Sequence, residues 1–208
     1  MDKKIRITEE FVRKRMEGYD SGHDWWHIVR VRNLAVYINE HEKMADPFTL
    51  EITALLHDTV DSKFHIGDPE SGYNMIGEFM DASGMAEIRN QVIEVVRNVS
   101  FSFKNHGGNL SDPVLLIIQD ADKLDAIGAI GVARAFNYGG FINNAIYVPD
   151  DRTEEKIAST IGHFYDKLLR LKDMMNTGTG RLLAEERHQF LEKFLKQFYK
   201  EWNFGTIV

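Results

Sequence analysis

Only four prolines, at positions 47, 69, 113 and 149, interrupt the 208 residues of this chain. A proline stops a helix by removing a donor and clashing with the preceding turn, so their scarcity leaves long stretches free to coil. The clusters rich in Gly, Asn, Asp and Ser are also widely spaced, and the chain reads as all-α rather than as many short strands. Asp46-Pro47 and Asp112-Pro113 each place an N-cap residue before a proline suited to the first helical position.

Between these marks the apolar spacing predicts a first helix over about 8–16 and a second opening after Ser21, with Asp24 three residues on in a capping-box arrangement. The second carries His27, Val31, Leu34, Ala35 and Ile38 on one face. The third, PFTLEITALLHDT, is apolar nearly all round and so belongs in a core. Helices over about 69–82 and 85–101 follow, separated at Ser83-Gly84, and then the loop SFKNHGGNLSD. From Pro113 a central helix is expected to run through PVLLIIQDADKLDAIGAIGVARAF. An irregular stretch, NYGGFINNAIYVPDDR, is long enough for a binding loop, and helices over about 153–175 and 179–202 complete the chain. The length suits one domain spanning 1–208, with a core over about 21–136 on which the helices of 153–202 pack.

Composition removes several classes of function. With 25 basic against 32 acidic residues and a net charge of -7, neither a nucleic-acid polymer nor an anionic membrane is the expected partner. Cysteine is absent, so a thiolate nucleophile, a disulfide framework and thiolate metal ligation are all excluded. The start MDKKIRITEE does not read as a secretory signal, and no apolar run approaches the roughly 20 residues of a membrane span. A cytoplasmic protein is the expectation. The exposed helical faces of an all-α chain also leave room for a homodimer.

The chemistry lies in polar residues at positions where a core residue belongs. His27 leads the apolar stripe of the second helix; His57 follows Leu50 and Ala54 at helical spacing, with Asp58 beside it; Asp122 falls in line with Leu115, Ile118 and Ala129. Burying such groups without partners costs several kcal/mol, so they must satisfy one another, hold water or hold a cation. A single such residue is readily a satisfied core group, but the same explanation would have to hold on three helices. Two imidazoles and two carboxylates suit one divalent ion, Mn, Fe, Co, Ni or Zn, with further positions left for water and a substrate oxygen.

The order His, then His-Asp, then Asp on a helical chain resembles the HD-domain superfamily of metal-dependent phosphohydrolases. GHDWWHIVRV, ALLHDTVDSKF, DADKLDAIGAIG and HFYDKLLRLKDMM together look like its YpgQ/YedJ-like branch, over most of the chain. The resemblance implies an HD-domain helical bundle and metal ligation by His27, His57, Asp58 and Asp122. It further implies hydrolysis of (deoxy)nucleoside triphosphates to monophosphate and pyrophosphate through metal-activated water, with one divalent ion, Mn or else Ni, Co, Fe, Zn or Mg. Asp61, four residues beyond His57, is the expected catalytic acid acting on the water or leaving group; a continued helix would put it on the metal side.

Substrate contacts are expected from His23, Lys63, His163 and Lys167, with Arg30 a further cation for phosphate. Tyr138, Phe141 and Tyr147 are placed to stack on a base or to pack, and Trp25 and Trp26 to anchor the start of the metal helix. His65 and His106 lie between Asp58 and Asp122, where two-metal HD proteins carry extra histidines, so a dinuclear iron oxygenase is a rival reading. Phosphomonoesterase, phosphodiesterase and non-catalytic nucleotide binder are the others, since ligand spacing does not separate them.

Overall fold

The computed structural model describes residues 2–16, 24–60, 69–99, 109–149 and 159–204. The fold is all-α. The chain divides into two compact units, Met1–Ala121 and Asp122–Val208.

The first unit contains α1 (Asp2–Arg15), α2 (Trp25–Glu42), α3 (Pro47–Leu56), α4 (Pro69–Ala82), α5 (Ala86–Val99) and the greater part of α6 (Pro113–Asp125). Helix α3 is its centre: α1, α2 and α5 all pack on it, while α4 pairs with α5. Its run of Ile52, Thr53, Ala54, Leu55 and Leu56 is buried throughout, as its apolar surround requires. The buried Thr53 hydroxyl is satisfied by the Thr49 carbonyl at 2.6 Å. Around α3 lie Val12, Ile28, Ile76, Met80 and Val92, each withdrawn from water, and each large aliphatic side chain buried there contributes about 1.5–3 kcal/mol.

Polar residues set the directions of these helices. Asp46 caps α3 by accepting from the Thr49 N–H at 2.8 Å, the N1 proline following as its sequence indicates. At the other end of α2, the buried Asn39 amide donates to the Ala45 carbonyl and accepts from the N–H groups of Met44 and Ala45, which closes the link into α3. Arg32 of α2 forks between Glu51 of α3 and Glu9 of α1, its Nη1 donating to Glu9 at 2.7 Å.

The second unit contains the last turn of α6, α7 (Gly128–Phe141), α8 (Thr160–Asp166), a 3-10 segment (Leu168–Met174) and α9 (Gly178–Trp202). Phe136, Phe164 and Phe194 meet in its interior, with ring centroids 5.7 to 6.1 Å apart. Thr177 caps α9, accepting from the Gly180 N–H at 2.9 Å.

Several expected boundaries move. The first helix begins at Asp2 rather than near Thr8. The expected central helix is two: α6 ends at Asp125 and α7 starts at Gly128, whose φ of +75° turns the chain between them. Ala129, expected in line with Asp122, is therefore on α7 and exposed. The expected helix over 153–175 is, in its described part, α8 followed by the tighter 3-10 segment.

Candidate metal centre

His27 sits in the first turn of α2, and the N-cap that holds that turn is Asp24. Asp24 has extended backbone angles and its Oδ1 accepts the His27 N–H at 2.9 Å, so it stands outside the helix instead of at the third position of a capping box begun by Ser21. The backbone of His27 is thus pinned by the residue three places earlier, while Ile28, Val31, Ala35 and Ile38 bury the same face of α2. The imidazole itself is fully buried, at 0% exposure.

His57 comes from the end of α3. The helix stops at Leu56, and His57 is its C-cap, with Asp58 in the turn that follows. Asp61 was expected on the metal side of a continued helix, but residues 57–60 are turn and Asp61 lies outside the described residues. His57 Nδ1 lies 2.8 Å from the Ala54 carbonyl. A carbonyl only accepts, so Nδ1 is the donor, and in the neutral ring the lone pair is then at Nε2. That Nε2 is buried and has no hydrogen-bond partner among the described residues.

The two imidazoles face one another with centroids 5.4 Å apart and planes tilted by 59°. Asp58 Oδ2 lies 3.7 Å from His27 Nε2, its side chain 16% exposed. Helix α6 continues without a break from the first unit into Asp122, which is half-buried. One ligand-type atom from each of His27, His57 and Asp122 falls within 4.8 Å of the others. Two imidazole nitrogens and a carboxylate oxygen form a mixed N/O set of the kind that holds Mn, Fe, Co, Ni or Zn, and the His57 Nε2 without a partner among the described residues is the atom a cation would satisfy. Asp58 borders the set through His27. Residues present therefore fit a divalent ion.

Of the remaining candidates, His163 and Lys167 belong to the second unit, one turn apart at the end of α8, both exposed. Desolvation by the surrounding chain, then the charge of Lys167, hold the His163 pKa below its usual value, with Asp166 opposing. His23, Lys63, His65 and His106 lie outside the described residues. Arg30 is half-buried on α2. Trp25 packs against the core as expected, but Trp26 is 62% exposed and anchors nothing in that core. Tyr138 and Phe141 are exposed, whereas Tyr147 packs edge-on against Phe198, Tyr199 and Trp202. The capping role of Asp24 and the Ala54 carbonyl that orients His57 escape a sequence reading: the first is masked by the neighbouring Ser21, and the second is backbone.

Comparison with known proteins decides the family. The HD domain model matches residues 25–127, and the Bacillus subtilis protein YpgQ is 40% identical over 96% of this chain and 95% of its own. The chain belongs to the HD-domain family. Among solved structures, this HD chain is similar to the crystal structure of Bacillus subtilis YpgQ in complex with ADP, with a TM-score of 0.75, 38% identity, and coverage of 96% of this chain and 95% of that one. It is likewise similar to an HD-superfamily hydrolase from Bacillus thuringiensis, with a TM-score of 0.78, 37% identity, and coverage of 97% and 98%. As an HD-superfamily hydrolase it belongs to a class whose domains bind divalent metals, and the HD match includes His27, His57, Asp58 and Asp122.

Proposed function

We propose that this HD hydrolase cleaves nucleoside triphosphates, deoxy forms among them, to monophosphate and pyrophosphate, using one divalent ion held by His27, His57, Asp58 and Asp122. The observation that carries the reading is the meeting of His27, His57 and Asp122, where the buried His57 Nε2 has no hydrogen-bond partner among the described residues. The ADP complex of YpgQ supports a nucleotide as the ligand class. Manganese is the proposed ion, one of the divalent metals that a mixed imidazole and carboxylate set holds.

When bound, such an ion supplies Lewis acidity, lowering the pKa of water and offsetting charge on a phosphoryl oxygen. The protein's part is orientation. Ala54 fixes the tautomer of His57, Asp24 fixes the backbone of His27, and the buried walls of α2 and α3 keep bulk water from the imidazoles. Asp61 is proposed to handle the proton of the attacking water or of the leaving group, as the acid nearest in sequence beyond the His-Asp pair. His23, Lys63, His163 and Lys167 are proposed to meet the substrate, the lysines neutralising phosphate.

Product analysis tests this directly. Purified protein with Mn2+ and a panel of nucleoside tri- and monophosphates is expected to release pyrophosphate from triphosphates. Release of orthophosphate alone would overturn the pyrophosphohydrolase reading in favour of a phosphomonoesterase.

A further inference from the structure

The motif that carries Asp122 does not end with it. In DADKLDAIGAIG the next aspartate, Asp125, is 1% exposed and forms the last residue of α6. A carboxylate there faces the negative end of its own helix as well as the cost of burial, so it is unfavourable in two ways unless cations are held beside it. Arg134 of α7 supplies one, its Nη1 donating to Asp125 Oδ2 at 2.8 Å. Arg187 of α9 supplies the other: its Nη1 donates to the Leu124 carbonyl at 2.5 Å, a helix-end acceptor that also takes the Ile127 N–H at 3.2 Å.

Two glycines make this corner possible. Gly128 turns the chain at φ +75°, and a Cβ there would stand 3.0 Å from Arg187 Cγ. At Gly131 a Cβ would stand 2.2 Å from the Ala126 carbonyl oxygen. A buried ion pair is a weak source of stability and its best-attested use is to define one arrangement over others.

We infer that Asp125, Arg134 and Arg187 are positioning residues for Asp122, fixing the rotation and axial position of the last turn of α6 and hence the direction of the Asp122 carboxylate. The inference rests on the proposed metal site and adds three residues to it that touch neither metal nor substrate. It also accounts for the conjunction of a buried acid, two arginines and two glycines around the helix end that follows a ligand-type aspartate.

The test is Mn2+ affinity, followed by the spin-resonance signal of free Mn2+ during titration of the full chain. Asp125→Leu combined with Arg134→Met removes the ion pair as a unit, and Arg187 keeps the charge of Glu186 nearby. Loss of such supporting groups weakens metal binding by about 10–100-fold, and at least tenfold is expected here with the metal-free melting temperature nearly unchanged. Asp125→Asn, which keeps an acceptor for Arg134, is expected to bind within about threefold of the parent, since most of the support is a hydrogen bond. Arg187→Gln leaves the pair intact and guards against a double variant that does not fold; weaker Mn2+ binding is expected from it. Parent-like affinity in the folded double variant, or in Arg187→Gln, overturns the inference. Absence of Mn2+ binding by the parent overturns the metal-site reading itself.

Discussion

At His57, donation from Nδ1 to the Ala54 carbonyl directs the lone pair of the neutral ring to Nε2, which is buried. Removing that lone pair tests the centre at its most specific point. His57→Ala is expected to abolish Mn2+ retention and nucleotide hydrolysis together, measured by metal content and by product release. Asp61→Ala is expected to keep the metal and lose at least about 100-fold in turnover, the usual range of a general acid or base. Equal loss of metal in both variants would show that Asp61 is a ligand and not the catalytic acid. Identity and order sufficed to nominate both residues; the tautomer of His57 did not follow from them, because its determinant is a main-chain oxygen that no residue type encodes.

Helix ends provide the next level of control, and each end has a separate consequence. Asp24→Ala deletes the cap under His27, with an expected cost of about 0.5–2 kcal/mol, and Asp24→Asn is expected to restore most of it because asparagine caps equally well. Thermal melts of the two variants compare these costs. Asp46 caps α3 and adds a pH dependence. The N–H of Thr49, then its hydroxyl, hold the Asp46 carboxyl below its ordinary value of 3.8. A depressed carboxyl stabilises the fold fully above the unfolded value and loses that contribution as pH falls through the folded one. The melting temperature of Asp46→Ala is therefore expected to lie below the parent's at pH 7 and to approach it below pH 3.8. Gly128→Ala combines a left-handed backbone with crowding against Arg187, and about 1–2 kcal/mol of destabilisation is expected from the backbone alone. The cap at Asp46 was legible because aspartate before proline has one dominant meaning. The α6 to α7 break was not, since Gly128 sits in an apolar helical pattern that continues on either side.

At the scale of the molecule, metal and fold are linked. His27 and His57 come from separate helices, so a site built from both exists only while they are packed, and binding to the folded state alone raises stability by mass action. With Mn2+ at about 100 times its dissociation constant the gain is about 2.7 kcal/mol. A calorimetric melt with and without Mn2+ is expected to show a higher transition temperature with the ion, reversed by EDTA; identical transitions would argue against ligands from separate helices. The amino-acid sequence by itself determined the all-α class, the starts of α3 and α6, the exclusion of thiolate chemistry and the four residues nominated as ligands, because periodicity, cap chemistry and residue type are local properties. Tertiary structure decided what is non-local: that the rings of His27 and His57 stand 5.4 Å apart, that Asp24 is the cap, and that Asp125 is buried against Arg134. Those depend on how α2 packs on α3 and how α6 turns into α7, and such distances between segments remote in the chain are set by side-chain packing in three dimensions.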